Sequence, residues 1–414
     1  MLRLIHTADW HLGHTLHGLS REAEHQAFLD WLLDALEREA ADALIIAGDV
    51  FDSANPPAAA QAMFYRFLAA ARMRCPQLDV LVIAGNHDSA ARLDAPSPLL
   101  DGLGIRVIGA LPRTAAGDFD APRLVVPLYA ADGRVAARVA AVPFLRPADL
   151  PPCSEAEDPL IAGVEAVYAD ALAAARAQRR PGEALLATGH AYLVGGQLSA
   201  LSERRILGGH QHALPVALFP EDVAYVALGH LHLAQRVAGR DAVRYAGAPL
   251  PFAFAENRYP HQVLRVDLDG EQLAAVEPLP VPQHLELLRR PGDAAQGLDE
   301  VLEDLAQLAL DPALPPARWP CLEVSVRLER PEPGLRRRIE LALDQRPVRL
   351  LTVVAHHCGR GEALGDEYGE AAGIEALAVG EVFRRCHVSR YRQEPEAELL
   401  EVFCKLLEEV EARK

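Results

Sequence analysis

Residues 80–88 read VLVIAGNHD: an apolar, β-forming run, then a small residue and a glycine, then Asn86, His87 and Asp88 in succession. Such a run reads as a buried strand feeding a tight loop that carries polar side chains. The same grammar recurs in LRLIHTADWH (2–11), ALIIAGDVFD (43–52), ALLATGHA (184–191) and YVALGHLH (225–232). Helical patterns separate the early strands. Phe28, Leu32, Ala35 and Leu36 recur at helical spacing, with Ser20 the expected N-cap and Glu22 and Glu24 in the first turn. Pro56 and Pro57 open a second helix that runs to about Arg74. A β-α-β-α-β start predicts parallel strands with helical crossovers, an α/β fold.

Further on, RLVVPLYAADGRVAARVAAVPF (123–144) and HQVLRVDLDGEQLAAVEPL (261–279) are each two strand-like runs around an Asp-Gly pair, a hairpin signal. These readings predict a mixed α/β layered domain over residues 1–278. LPVPQHLELLRRPGD (279–293) reads as a linker. A helical stretch at 298–309, the strand CLEVSVRL (321–328), a helix near 333–345 and the strand VRLLTVVA (348–355) then form a small α/β unit, residues 279–358. Residues 359–414 begin with a loop, GRGEALGDEYGEAAG, and close with two helices. The last carries Leu399, Val402, Phe403, Leu406, Leu407 and Val410 on one face.

The bulk properties narrow the setting. The 414 residues are half hydrophobic, with a formal net charge of −17. That balance argues against nucleic-acid binding by bulk electrostatics alone, although bound divalent cations reverse the sign of a site. Lys405 and Lys414 are the only lysines, so phosphate contacts would fall to arginine. The cysteines Cys75, Cys153, Cys321, Cys358, Cys386 and Cys404 are scattered without a CxxC, which fits reduced thiols. MLRLIHTADWH has no apolar signal core, and no window reaches an uninterrupted apolar span of about 18 residues, so a cytoplasmic protein is expected.

The five loops contribute Asp9, His11, Asp49, Asn86, His87, His190, His230 and His232. If their strands share one sheet, these side chains gather at its carboxyl edge, where open α/β sheets place their sites. Leaving out His87, the set mixes imidazole, carboxylate and amide. It suits borderline ions such as Mn²⁺, Fe²⁺ or Zn²⁺ better than Mg²⁺ or Ca²⁺. Seven ligands are too many for one tetrahedral ion and suit two ions sharing a bridging carboxylate.

The order D-x-H, GDxxD, GNHD, GH, GHxH resembles the calcineurin-like binuclear metallophosphoesterases. HTADWHLG, GDVFDSANPP, GNHDS, ALGHLHLAQ and YAGAPLPFAFAE (245–256) are similar to its branch of DNA nucleases. The resemblance is strong over residues 1 to about 275 and extends beyond them only in layout. It implies a four-layer sandwich of mixed sheets with flanking helices, followed by a small α/β capping domain and C-terminal helices. It also implies two divalent cations, most readily Mn²⁺, with Mg²⁺, Fe²⁺ and Zn²⁺ as alternatives. One ion would be held by Asp9, His11 and His232, the other by Asn86, His190 and His230, with Asp49 bridging. His87 would face the scissile phosphate as general acid or hydrogen-bond donor. Asp88 and Asp52 would orient it; Asp88 has the equal alternative of capping its loop, and some relatives carry a histidine where this chain has Asp52. The partners implied are DNA, an ATPase that docks on the terminal helices, and a second copy of the chain as a homodimer within a heterotetramer. The activity implied is double-strand exonuclease and single-strand or hairpin endonuclease in DNA end processing, repair and recombination.

Two other functions stay open. The same scaffold carries phosphomonoesterases, cyclic-nucleotide phosphodiesterases and protein phosphatases; the chain beyond residue 278 argues against a stand-alone small-molecule esterase. A metal-bearing scaffold without catalysis would be marked by loss of a ligand or of the GNHD histidine, and none is missing. Arg204, Arg205 and Arg92 are candidate phosphate contacts or else solvated surface residues. LGGHQHAL (207–214) repeats the spelling of ALGHLHLA (227–234), but SERRIL before it is polar and makes a poor buried strand. His210 and His212 are therefore read as outside the metal set, with phosphate or protein contact left open.

Overall fold

Both faces of the early strands are apolar because both are covered. In a computed structural model, Leu4, Ala43, Ile45, Leu81 and Ile83 point into one core, while Ile5, Leu44, Ile46, Val80 and Val82 point into another. The structure describes residues 1–153, 156, 158–194, 196, 213–292, 294–329, 332 and 334–357, and then 383–384, 386–388, 390, 393–395, 399–400 and 402–403. By contacts the chain divides into two compact units, residues 1–327 with 333–356 and residues 328–332 with 357–414.

The first unit begins with β1 (Leu2–Thr7), a small ribbon of β2 (Thr15–Leu16) and β3 (Leu19–Ser20), and α1 (Glu22–Arg38). β4 (Ala43–Ala47), α2 (Ala58–Arg74), β5 (Asp79–Ile83), the short helices α3 (Ala90–Asp94) and α4 (Ser97–Leu100), and β6 (Ile105–Ile108) follow. Next come β7 (Val125–Tyr129), β8 (Val135–Ala141), α5 (Pro159–Gln178), β9 (Ala184–His190), β10 (Tyr225–Gly229), β11 (Gln235–Val237) and β12 (Arg240–Tyr245). β13 (Gln262–Asp269) and β14 (Gln272–Pro280) return to the first sheet.

Two six-stranded sheets result, ordered β14-β13-β1-β4-β5-β6 and β11-β12-β10-β9-β8-β7. The central pairs β1/β4, β4/β5, β9/β10 and β8/β9 are parallel. The two Asp-Gly hairpins, β7/β8 and β13/β14, are antiparallel and lie at sheet edges. The sheets face each other across a core that includes Leu4, Ile45, Leu81, Leu186, Tyr225 and Ala227. Phe28, Leu32 and Leu36 of α1 and Phe64, Phe67 and Leu68 of α2 cover the outer face of the first sheet. Tyr168, Ala171 and Leu172 of α5 cover the second. This is the four-layer α/β/β/α sandwich. Among the described residues no helix is long and apolar enough to cross a membrane.

Two local expectations differ from what is seen. Arg21, not Ser20, occupies the cap position of α1, although Ser20 Oγ accepts the Glu22 N–H at 3.3 Å. Arg21 is fully buried; it pairs with Glu24 and donates to the Pro251 carbonyl at 2.6 Å, so tertiary contacts set the helix start. The stretch 279–293 is not all linker. It holds the end of β14 and β15 (Leu287–Arg290), which pairs in parallel with a strand more than thirty residues on, a partner that local sequence cannot reveal.

That partner is β17 (Cys321–Leu328), preceded by β16 (Gln296–Gly297) and α6 (Leu298–Gln307) and followed by α7 (Leu335–Ala342) and β18 (Arg349–His357). Together these strands form a four-stranded sheet. Leu285, Leu287 and Cys321 pack against Leu16 and Phe254 of the sandwich. In the second unit, Phe383 stacks on Phe403 with ring centroids 4.1 Å apart, and Arg384 pairs with Glu394 at 3.0 Å. Leu406, Leu407 and Val410 of the predicted apolar stripe lie outside the described residues.

Candidate metal centre

The five strand–loop segments do not share one sheet. β1, β4 and β5 belong to the first sheet and β9 and β10 to the second, and the site straddles the carboxyl ends of both. His190 is the last residue of β9, while the other candidates lie just beyond their strands. The approach is tight. A Cβ on Gly48 would lie 2.3 Å from His190 Nδ1, and one on Gly229 would lie 2.0 Å from the Ala47 carbonyl oxygen, so only glycine fits at either seam between the sheets.

The loops turn through backbone that side chains rarely adopt. Asp9, His11, Asp49 and His230 have φ of 54°, 45°, 49° and 105°. Such conformations cost of order 1–3 kcal/mol each and persist where surrounding structure imposes them. Here the imposing bonds are visible. Asp9 N donates to the Gly48 carbonyl and His11 N to the Asp49 carbonyl, each at 3.0 Å, and His230 N donates to the Asp9 carboxylate at 3.0 Å. The turn at His230 also resolves how two histidines two residues apart diverge after a strand whose alternation would aim them alike.

Asp9, His11, Asp49, His190, His230 and His232 are all buried, and Asn86 and His87 are half-buried. Asp49 Oδ2 lies 3.6 Å from His11 Nε2 and 3.4 Å from His190 Nε2, while Oδ1 accepts the His87 N–H at 2.8 Å. Asn86 Oδ1 lies 3.0 Å from His190 Nε2 and 3.3 Å from His230 Nδ1. His190 donates its Nδ1–H to the Ala47 carbonyl at 2.9 Å, which turns Nε2 toward Asp49 and Asn86. His232 donates Nδ1–H to Glu256 Oε1 at 2.9 Å, which makes Nε2 the lone-pair nitrogen of the neutral ring. Asp9, His11 and His232 can bring one ligand atom each to a common point, and so can Asp9, Asp49 and His190.

The donor set fits divalent cations. Both ring nitrogens of His11 are buried without a hydrogen-bond partner, although carboxylate oxygens lie 3.5 and 3.6 Å away. A buried imidazole left so is costly unless an ion takes the lone pair. The charges agree. Burial raises the Asp9 carboxyl to about 7 even against the pull of His190 and His232. Burial would also raise Asp49, but His190 beside it holds it well below the usual carboxylate range. His190 in turn rises to about 9, because Asp49 and Asp9 outweigh burial. Burial holds His11 near about 4 and His230 near about 3, as neutral imidazoles ready to ligate.

His87 donates Nδ1–H to the backbone carbonyl of Asp52 at 2.8 Å. The Asp52 carboxylate is turned elsewhere, 3.1 Å from His14 Nδ1 and 3.5 Å from His11 Nδ1. Asp88 accepts the N–H groups of Gly85, Phe51 and Val50 at 2.9, 2.9 and 3.1 Å, the geometry of a carboxylate that caps its loop. The carboxylates of Asp52 and Asp88 thus shape the loops around His87, and the direct bond to its ring comes from main chain.

Residues 2–234 match the calcineurin-like phosphoesterase family, and residues 281–391 match the family described as type 5 capsule protein repressor C-terminal domain. The chain is 42% identical over 371 residues to the SbcD component of the nuclease SbcCD of Rhodobacter capsulatus, spanning 87% of this chain and 90% of that protein. It belongs to the SbcD family of calcineurin-like phosphoesterases. Identity to the protein of the same name is 34% in Escherichia coli K12, over 93% of this chain and 92% of that one. In Bacillus subtilis 168 it is 35%, over 72% and 74%. Membership makes the chain a phosphodiester hydrolase of the SbcD nuclease type.

Of the remaining candidates in this SbcD-family chain, Arg92 is exposed on α3. Arg204, Arg205, His210 and His212 lie outside the described residues. Residue-by-residue reading of the sequence misses three contributors. Glu256 holds His232. Phe252 packs edge-on against His11, His232 and His14, with centroids 4.9, 5.5 and 5.0 Å apart. Arg146 donates to the Asp88 carbonyl at 3.1 Å and brings a cation to the loop of His87. The first two lie in YAGAPLPFAFAE, whose apolar spelling carries no ligand pattern; Arg146 follows β8 with no motif at all.

Proposed function

We propose that this chain is the nuclease component of an SbcCD-type complex, a phosphodiesterase that cuts DNA with two divalent cations, Mn²⁺ before Mg²⁺, Fe²⁺ or Zn²⁺. Asp9, His11 and His232 hold one ion, Asn86, His190 and His230 hold the other, and Asp49 bridges. The observation that carries this is Asp49 Oδ2, set between His11 Nε2 and His190 Nε2, one histidine from each set. Such a pair of ions neutralises the phosphodiester and supplies an activated water near neutral pH. Two divalent cations would bring four positive charges against the two carboxylates of Asp9 and Asp49, so the ligand set itself would be net positive within an acidic protein.

The chain's own groups do the rest. The Asp52 carbonyl fixes His87 as the Nδ1–H tautomer when neutral, so Nε2 is the nitrogen left for the leaving oxygen. Protonated, that Nε2 donates to the oxygen as it gains charge. Arg92, Arg204 and Arg205 contact phosphates. Residues 1–278 act as the nuclease domain, 279–358 as a cap, and 359–414 as the docking region for an SbcC-type ATPase. The assembly is a homodimer within a heterotetramer, working in the cytoplasm as double-strand exonuclease and hairpin endonuclease in DNA repair and recombination. The test is cleavage of blocked and unblocked linear duplex and of hairpins, with Mn²⁺ or Mg²⁺, with and without the ATPase and ATP, beside p-nitrophenyl esters. DNA cleavage above ester hydrolysis supports the reading; hydrolysis of the esters alone overturns it.

A further inference from the structure

Glu256 is fully buried, and it lies twenty-four residues beyond the nearest candidate ligand in sequence. Its two oxygens do different things. Oε1 accepts Nδ1–H of His232 at 2.9 Å, and Oε2 accepts the backbone N–H of Phe252 at 2.7 Å. The Phe252 ring in turn stands against His11 and His232. One carboxylate therefore aims one histidine directly and sets the aromatic wall behind both histidines of the same proposed ion. On the side of the other ion, His190 is held by the Ala47 carbonyl instead.

The arrangement is itself anchored. Glu256 lies in a 3-10 turn, Phe254–Arg258, whose Asn257 donates to the Leu287 carbonyl of β15 at 2.6 Å. Phe254 packs with Leu285, Leu287 and Cys321. The turn is thus pinned between the sandwich and the small sheet, and a carboxylate on it has a fixed position from which to hold a ring.

We propose that Glu256 is a positioning residue for a single ion, the one assigned to Asp9, His11 and His232, and that it sets the affinity of that ion apart from its neighbour. This rests on the two-ion reading above. Carboxylate partners of ligating histidines typically change metal affinity about 10–100-fold when removed. The experiment is Mn²⁺ titration of the full chain by calorimetry and electron paramagnetic resonance, comparing wild type with Glu256→Ala and Glu256→Gln. In Glu256→Ala, one Mn²⁺ should weaken about 10–100-fold while the other stays within about threefold. A mononuclear spectrum should then replace the exchange-coupled pair at limiting metal. Glu256→Gln keeps an oxygen for His232 but turns an NH₂ toward the Phe252 N–H, so an intermediate loss of the same ion is expected; this variant decides the matter if the alanine variant does not fold. Two ions bound as in wild type, or both weakened alike, would overturn the proposal. A wild type that never binds a pair would instead overturn the two-ion reading.

Discussion

Gly85 sits against Asp49 so closely that a Cβ built on it would lie 2.1 Å from Asp49 Oδ1 and 2.3 Å from the Asp49 nitrogen. The main chain of one ligand loop thereby defines the place of the carboxylate in another. Gly85→Ala should push Asp49 off its position, destabilise the protein by about 1–3 kcal/mol and abolish paired metal binding. Thermal denaturation and Mn²⁺ titration measure both; an unchanged melting temperature with two ions bound would refute the constraint.

Asp49 and Asn86 should separate the two ions by number. Asp49→Asn removes the charge shared by both sets, so both ions should weaken together. Asn86→Ala should weaken one. The melting temperature offers a second reading, since ligand at about 100 times its Kd stabilises by about 2.7 kcal/mol. The metal-induced rise should nearly vanish in Asp49→Asn and be partly kept in Asn86→Ala. Equal responses in the two variants would count against a bridge.

His87→Ala should retain both ions and lose about a hundred- to ten-thousand-fold in turnover, the usual weight of a proton-transfer group. Asp52→Ala keeps the backbone carbonyl that holds His87, so its loss should be smaller. Metal content and single-turnover cleavage on one duplex distinguish these. Full activity in His87→Ala with intact metal would remove it from the chemistry.

Burial lowers His6, inside the sandwich, to about 3. Its Nε2–H donates to the Leu228 carbonyl at 3.1 Å and its Nδ1 accepts from the Tyr225 hydroxyl at 2.9 Å, an arrangement of the neutral ring. Above the unfolded value of 6.5 neither state is protonated. Below it the unfolded chain takes a proton that the folded one refuses, so folding loses about 1.4 kcal/mol per pH unit from this group as pH falls toward 3. The stability advantage of wild type over His6→Gln should therefore narrow at that rate between about pH 6 and about pH 4. Denaturant unfolding at several pH values measures it, and a constant gap would show that His6 titrates normally.

Deleting residues 370–414 should abolish binding to the ATPase partner and spare metal-dependent cleavage of short DNA. Co-purification and an activity assay on the truncated chain decide it; retained binding would move the docking site elsewhere.

Much of the site is legible in the sequence because its signals are local. A strand ending in glycine before Asp, Asn or His is written within ten residues, and period-two burial with helical crossovers makes the sandwich readable from the same stretches. YVAL, read as a buried strand before His230 and His232, is one, whereas the reading of His210 and His212 from the polar SERRIL falls outside the described residues. What stays hidden is everything fixed by partners distant in the chain. No periodicity tells whether two parallel strands share a sheet, so β9 and β10 read like β1, β4 and β5. β15 reads as linker because its partner, β17, begins more than thirty residues later.

The sequence by itself determined which side chains could ligate, that they follow strands, and that there are too many for one ion, because these are matters of residue type and short-range spacing. Only the tertiary structure decided that two sheets packed face to face bring their carboxyl ends together to supply them, that Asp52 serves His87 through its main chain, and that Glu256 stands behind His232. Those depend on packing between distant segments, where hydrogen bonds and close approach across the sheet seam, not local propensity, set each atom's place.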